Sequence, residues 1–496
     1  VEDATVSDLS TRIVPTVTVL VLVLATCASG CAREGPPNLI IILADDLGYG
    51  DTGVYGSEVI TTPNIDALAA RGVRFTDGYV AAAVCSPSRA ALMTGRYPQR
   101  FGYHFNNNAG PGLPTTETTL ASRLREVGYT TGIIGKWQLG MSADTRPMAR
   151  GFDEFFGMAS GTIYIEPGTP GVESFSPVPL PEKRQRPIYR GDTEVEVTDY
   201  ITDVFTDEAV DFIERHHERP FFLYLAHYAP HVPLQATAKY LRRFAHVEDK
   251  PTRIFAAMVS AVDDSVGRVV AALREHGIDD NTLIVFLSDN GCAGYLQGAC
   301  SNAPLNGGKR YHWDGGIRVP FLMSWPARVT AGTVSELPVS SLDISATMIA
   351  AATGSSDLPT ELDGVDLMPF VAGKTAGTPH DRLFWRAGPN RAVREGRWKL
   401  WQVNRATEEM VSSIEVGGLL PRYRAPNGSP LGQLTLLYDL EKDIGERSNL
   451  AADKPEIVER LIGRLDEWNE DKKDPSVVST RGTATTIDGV PVEIIF

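Results

Sequence analysis

Short apolar runs alternate along this chain with segments of helical period. "NLIIILADD" (38–46), "TTGIIGKW" (130–137), "PFFLYLAHYAPH" (220–231) and "NTLIVFLSDNG" (281–291) each hold a near-continuous apolar stretch of strand length. That is the pattern of strands buried on both faces. Between them lie "TPNIDALAARG" (62–72), "CSPSRAALMTG" (85–95), "TTLASRLREVG" (118–128) and a long helical stretch from Pro251 to Gly277. The alternation predicts an α/β domain with a large, mostly parallel central sheet flanked by helices. Residues 166–190, rich in Pro, Gly and charge, read as a long surface loop. After about Gly373 the pattern changes to short strands with turns, "RLFWRAG", "NRAVREGRWKLWQV" and "TLLYDLEKD", followed by an amphipathic segment, "PEIVERLIGRLDEWNEDKK". These predict a smaller C-terminal domain, an antiparallel sheet with a terminal helix. The expected division is 1–35 as a leader, 36–373 as the larger domain and 374–496 as the smaller one.

The four apolar runs share one feature. Each ends in polar residues: Asp45-Asp46, Lys136-Trp137-Gln138, His227 with His231, and Asp289-Asn290. In an open α/β sheet, ligands bind beyond the carboxyl ends of the strands. Four such endings in one sheet predict a single mouth. Asp45, Asp46, Asp289 and Asn290 offer oxygen atoms only, which suits a hard cation, Ca²⁺ or Mg²⁺, rather than Zn²⁺. One acidic pair would read as a turn cap; two pairs at strand ends read as a metal site. Asp263-Asp264 falls inside a helical pattern, where neighbours diverge around the axis, and reads as structural or surface.

Composition narrows the picture. The chain has 496 residues, 47 basic and 62 acidic, for a net charge of -15. That balance argues against nucleic acid as a partner, while a local basic pocket can still take an anionic small substrate. The stretch "IVPTVTVLVLVLATCASGCAREG" (13–35) is too short to span a bilayer comfortably and ends in small residues. It resembles a bacterial lipoprotein signal, with Cys31 as the lipid-bearing residue and Cys27 as the alternative. The expectation is therefore an exported, periplasmic or outer-membrane-associated protein, held to the membrane by that anchor alone. Of the five cysteines, Cys292 and Cys300 are placed to close a small disulfide loop in an oxidising compartment. Cys85 is left unpaired.

Cys85 precedes Pro87, a favoured first-turn residue, and an Ala-Ala-Leu-Met run that ends at Gly95. Position 85 thus falls at a helix N-terminus, which favours anions. Arg89, one turn on, can share its face. The plain alternative, a buried structural cysteine, sits poorly with these polar neighbours.

"CSPSR" matches the signature C-x-P-S-R, and here the chain resembles the type I, formylglycine-dependent sulfatases. The resemblance runs in order through "ADDLGYGD" (44–51), "CSPSRAALMTGRYP" (85–98), "GIIGKWQLG" (132–140), "APHVPL" (229–234), "SDNG" (288–291), "NGGKRYHWDGGIRVP" (306–320) and "LYDLEKD" (437–443). It implies the alkaline-phosphatase-like fold. It also implies sulfate ester hydrolysis, with sulfated carbohydrate as the expected substrate class. Position by position, Asp45, Asp46, Asp289 and Asn290 correspond to the metal ligands, usually for Ca²⁺. Cys85 corresponds to the residue that a maturation enzyme oxidises to formylglycine, which also faces the metal. Arg89, Lys136 and Lys309 correspond to residues that hold formylglycine and sulfate, and His231 to the histidine facing the leaving-group oxygen. His227 lies outside the match and reads as structural. One position departs. The family commonly has Gly-Lys-Trp-His-Leu-Gly, and this chain has Gln138 at the histidine. Glutamine can hold a hydroxyl but cannot accept a proton at neutral pH, so a slower second step is expected.

The implied chemistry accounts for the cysteine. A serine nucleophile would become a sulfate ester about as inert as the substrate. A hydrated aldehyde carries two hydroxyls: one attacks sulfur, and the other, once deprotonated, re-forms the carbonyl and expels sulfate. Two other readings share these residues. One is a phosphonate monoester or phosphodiester hydrolase of the same superfamily. The other is a catalytically weak, sulfoglycan-binding lipoprotein, which Gln138 favours.

Overall fold

The computed structural model describes residues 35–106, 110–177, 187–296, 298–408, 420–421, 432–477, 479 and 481–495. The leader, with Cys27 and Cys31, lies outside the described residues.

A ten-stranded sheet forms the frame. Its centre is parallel: Thr282–Ser288, Asn38–Ala44, Phe221–Ala226, Thr130–Lys136 and Glu154–Met158 lie side by side in that order. Antiparallel strands close both flanks, beginning with Phe321–Ser324 on one side and Ile188–Arg190 on the other. The apolar runs read as doubly buried strands because they are. Leu39, Ile41 and Leu43 enter one core, and Ile40, Ile42 and Ala44 enter the other, since alternate side chains point to opposite faces. Helices Ile201–His216 and Lys250–Glu275 pack on the second core, and Cys85–Thr94 and Leu342–Thr353 on the first. Among the described residues, no helix is long and apolar enough to cross a membrane.

Asp263 lies inside the long helix, buried, and accepts the Asn64 and Ile65 backbone N–H groups at 2.9 and 2.8 Å. It thereby satisfies the start of helix Pro63–Ala70. Asp264 points away and pairs with Arg243. The stretch 166–190, expected as a loop, contributes two strands among its described residues. Val172–Phe175 pairs with Leu234–Thr237, and Ile188–Arg190 joins the edge of the large sheet. Edge strands this short carry too little apolar periodicity to stand out in a sequence.

The second sheet has seven strands, with Arg382–Ala387, Asn390–Glu395 and Trp398–Arg405 in meander order. Gln433–Asp439 pairs with the third of these. The expected terminal helix, Pro455–Asn469, is present and buries Leu461 and Leu465 against Val393, Leu400 and Leu437. It is not the last element: a hairpin, Arg481–Ile487 with Val490–Ile495, follows it and completes the sheet. The other face of this sheet rests on the first core. The indole N–H of Trp385 donates to the Val80 carbonyl at 2.7 Å.

Candidate active site

The polar endings of the four central strands meet at one edge of the sheet. The Asp289 backbone N–H donates to the Ala44 carbonyl at 3.0 Å, and the Asp46 N–H donates to Asp289 Oδ1 at 3.2 Å. The Ser288 hydroxyl oxygen takes the Leu47 N–H at 3.0 Å. Two loops are thus tied to each other, and Asp46 turns through a positive φ of 67° to face back over the strand ends. Gly135 delivers Lys136. A Cβ on Gly135 would stand 2.0 Å from the Ala226 carbonyl oxygen, so only glycine lets the two strands approach there.

Helix Cys85–Thr94 points its first turn at these acids. Gly95 ends it in the left-handed region, at φ 67°. Cys85 is 1% exposed. Its Sγ lies 3.6 Å from Asp45 Oδ1 and 4.0 Å from Asp46 Oδ1. The sequence context argued against a buried thiol, and the structure buries it, but among charges rather than in an apolar core. Burial first, and the Asp289 carboxylate next, push the thiol well above the usual range. It keeps its proton at neutral pH and is a poor nucleophile as it stands.

Three cations face three acids. Arg89 Nε donates to Asp289 Oδ2 at 2.9 Å, Nη2 to Asp45 Oδ2 at 3.1 Å, and Nη1 to the Lys136 carbonyl at 2.8 Å. Lys136 Nζ pairs with Asp45. Lys309 Nζ donates to both Asp46 oxygens, at 2.6 and 2.8 Å. Burial alone would raise Asp45, but Lys136, His231, Arg89 and Lys309 together hold it far below the carboxylate range. Asp289 goes the other way, to about 6, through burial and the neighbouring Asp45 charge. Asp289, still raised although Arg89 and Lys136 face it, can accept further positive charge.

Asn290 points to the same conclusion. Its Nδ2 donates to Asp46 Oδ1 at 2.7 Å and to the Gly291 carbonyl at 2.9 Å. Its buried Oδ1 has no hydrogen-bond partner, and orphaned buried acceptors are costly. An oxygen-only set with an acceptor to spare fits a hard divalent cation. Asp45, Asp46, Cys85 and His231 also bring their ligand atoms within 4.8 Å of one another.

His231 Nε2 lies 3.6 Å from Asp46 Oδ2. Its Nδ1 is 2.6 Å from the Val232 carbonyl, so Nδ1 carries the proton and neutral Nε2 is an acceptor. Burial lowers this imidazole to about 4. His227 is held elsewhere, on Ser265 Oγ at 2.8 Å, and burial takes it to about 3. Gln138 is buried, with φ 58°. Its backbone carbonyl accepts the Ser86 hydroxyl at 2.8 Å, which ties the chain here to the residue after Cys85. Asp45, Asp46, Cys85, Arg89, Lys136, His231, Asp289, Asn290 and Lys309 thus line one site; Gln138 is tied to it through its backbone carbonyl, and His227 lies apart. Sequence reasoning missed Tyr295, whose hydroxyl donates to Asp46 Oδ2 at 3.3 Å. A tyrosine in a glycine-rich loop carries no local signal; the disulfide that closes its loop, Cys292–Cys300, was the available clue.

Residues 37–355 match the sulfatase family, and 307–410 match the family described as N-sulphoglucosamine sulphohydrolase, C-terminal. The chain belongs to the sulfatase family. Arylsulfatase A of Bos taurus is 35% identical over 463 residues, 88% of this chain and 87% of that protein. N-acetylgalactosamine-6-sulfatase of Canis lupus familiaris is 34% identical over 481 residues, 89% of this chain and 87% of that protein. The crystal structure of Ps i-CgsB in complex with k-i-k-neocarrahexaose superposes with a TM-score of 0.76 at 35% identity, covering 89% of this chain and 94% of that one. The fold is the alkaline-phosphatase-like fold of the sulfatases, and the chain is a sulfuric ester hydrolase.

Proposed function

We propose that this sulfatase hydrolyses sulfate monoesters of sulfated carbohydrates, using formylglycine made from Cys85 and a bound calcium ion. One observation carries the reading: Cys85 opens a helix against three buried acids and the orphaned Asn290 Oδ1, with Arg89, Lys136 and Lys309 around it. The carbohydrate class is supported by the N-acetylgalactosamine-6-sulfatase relative and by the oligosaccharide bound to Ps i-CgsB.

Asp45, Asp46, Asp289 and Asn290 would hold the cation, which supplies positive charge against the sulfate oxygens. Formylglycine, once hydrated, supplies the attacking hydroxyl and a second hydroxyl through which sulfate leaves. The chain's own groups do the rest. Lys136, Lys309 and Arg89 balance charge on the sulfate oxygens. His231 gives a proton from Nε2 to the departing alcohol oxygen. It does so only as imidazolium, because Nδ1–H is spent on the Val232 carbonyl. An anionic ester beside Nε2 favours that form. Gln138 holds a hydroxyl but takes no proton. A maturation enzyme that oxidises Cys85 is the implied partner. Export is supported by the Cys292–Cys300 disulfide and, in the sequence, by the 13–35 leader with Cys31 as its lipid site.

Mass spectrometry and one variant test the reading together. The Cys85 peptide is expected to lose H₂S and gain one oxygen. Cys85→Ser, made in a host unable to convert serine, is expected to release at most one equivalent of alcohol and keep sulfate on the serine. Sustained turnover by that variant would overturn the aldehyde mechanism. Faster hydrolysis of aryl phosphate than of aryl sulfate by the matured protein would move the chain to the phosphoester reading.

A further inference from the structure

Five described residues other than glycine have positive φ: Asp46, Gln138, Arg310, Glu446 and Asp488. Asp488 sits in a hairpin turn, where that conformation is ordinary. Glu446 lies in the turn that caps Asp314. The other three surround Cys85. Asp46 and Gln138 already have places in the site; Arg310, at φ 85°, has none. A long side chain held in the left-handed region costs free energy and persists where the surroundings over-determine it.

They do so here. The Arg310 N–H donates to the Ala83 carbonyl at 2.7 Å, two residues before Cys85. Its predecessor Lys309 is locked on Asp46, and the Lys309 N–H donates to the Cys292 carbonyl at 3.0 Å. The Arg310 guanidinium carbon lies 5.0 Å from the centre of the Tyr295 ring, a cation–π distance. Tyr295 reaches Asp46 with its hydroxyl, and its loop is closed by Cys292–Cys300. Arg310 and Tyr295 are half-buried. The guanidinium is thus held on the ring of a tyrosine whose far end touches a metal-site carboxylate.

We propose that Arg310, seated on Tyr295, is a specificity-determining residue that binds a second anionic group of the substrate. The preferred substrate is then a sugar carrying at least two such groups. The inference rests on the sulfatase reading above and deepens it. The sulfate that reacts is matched by Arg89, Lys136 and Lys309 next to Cys85. Arg310 stands a ring's length further out, and its planar fork suits a sulfate or a carboxylate held through two oxygens.

The test uses the matured protein hydrolysing nitrocatechol sulfate. Three competitors are compared: monosulfated N-acetylgalactosamine, its disulfated form, and the monosulfated sugar linked to glucuronate. At least one dianionic competitor is expected to bind roughly 10- to 100-fold more tightly than the monosulfated one, the range of a charge-assisted contact. Which one does so identifies the second group as sulfate or carboxylate. Arg310→Met is expected to bring that ratio near one, and Arg310→Lys to keep part of it. A ratio near one in the wild-type protein, or a ratio unchanged in Arg310→Met, overturns the inference. So does a uniform loss for all three competitors in Arg310→Met, which would mark a structural role. A wild-type protein that does not hydrolyse nitrocatechol sulfate would instead count against the sulfatase reading. The same three ligands, titrated by calorimetry into the Cys85 form, would then still decide the Arg310 ratio.

Discussion

Two buried clusters of charge stand in this molecule, and they are built differently. One is the site at Cys85. The other lies where the second sheet meets the first core. There Lys399 Nζ donates to Asp314 Oδ1 at 2.6 Å and pairs with Glu446 Oε1 at 2.9 Å, all three side chains being fully buried. Asp314 Oδ2 also takes the Tyr79 hydroxyl at 2.8 Å and Arg318 Nη1 at 3.3 Å, and Arg394 binds Asp77 beside them. The Asp314 backbone N–H donates to Glu446 Oε2 at 2.6 Å. This second cluster joins the two sheets and carries no candidate chemistry. Burial of charge therefore does not by itself mark an active site. Glu446 in the second cluster also has a positive φ, 47°, and a carboxyl pushed up to about 7, so neither backbone strain nor a raised carboxyl separates the two. What distinguishes the first cluster is a thiol at a helix start beside its carboxylates and an Asn290 Oδ1 with no hydrogen-bond donor, whereas Glu446 Oε1 has Lys399 Nζ at 2.9 Å.

The sharpest way to break that contrast is to remove one charge from each cluster. On the proposed mechanism, Asp289→Asn is expected to lower turnover by about 10³-fold or more, because Arg89 and the proposed cation would lose a shared carboxylate. It should leave the metal-free fold about as stable as before, since burial already disfavours that charge. Lys399→Met is expected to cost about 3–5 kcal/mol of stability, the usual penalty for leaving buried charges unpaired. Calcium binding by the folded fraction should survive it. Denaturant melts and calcium titrations of both variants check the pair. Equal destabilisation by the two would erase the distinction.

A smaller effect is expected at Gln138. Gln138→His should leave the first chemical step similar and speed sulfate release, raising the steady rate on the order of tenfold, the lower end of what a positioned base contributes. Pre-steady-state kinetics would read this as a smaller burst before a faster steady phase. An unchanged or slower steady rate would mean that another group already serves as the base.

The smallest effect concerns His380, which ties the linker before the second sheet to helix Leu342–Thr353 through Asp343 Oδ1 at 2.7 Å. Burial pulls this imidazole down, but the Asp343 carboxylate outweighs it and the net shift is upward. A raised histidine stabilises the fold below its unfolded value and loses that contribution as pH rises past the folded one. His380→Ala should therefore destabilise more at about pH 6 than at about pH 9, on either side of the ordinary histidine range. Equal losses at both pH values would leave the histidine a packing role only.

The central strands and the mouth they form were legible because doubly buried strands write continuous apolar runs, and because the polar residues ending each run are local in sequence. Asp45, Asp46, Asp289 and Asn290 needed only that logic. Lys309 and the fold name came from resemblance, since nothing in "NGGKRY" says which strand end it will reach. Tyr295 and the Lys399–Asp314–Glu446 cluster were hidden for a different reason. Their partners are 47 to 249 positions away, and contacts across that separation leave no periodic trace. The hairpin after the C-terminal helix was missed although "RGTATTIDGVPVEIIF" carries its signal, an Asp-Gly pair between β-branched runs. In the structure it pairs with Trp398–Arg405 in the second sheet.

The burial of Cys85 has a consequence for the formylglycine reading proposed above. In the finished protein the thiol lies under its own helix, with the Ser86 hydroxyl bound to the Gln138 carbonyl and the Ser86 N–H donating to Asn106. An enzyme acting on the "CSPSR" stretch needs that segment extended and in hand. On the formylglycine reading, conversion of Cys85 would have to precede docking of the helix. On that reading, any copy that folded first would keep its sulfur. The proportion of working molecules in a preparation would be set by a race between oxidation and folding, and slowing the second would raise the yield of the first.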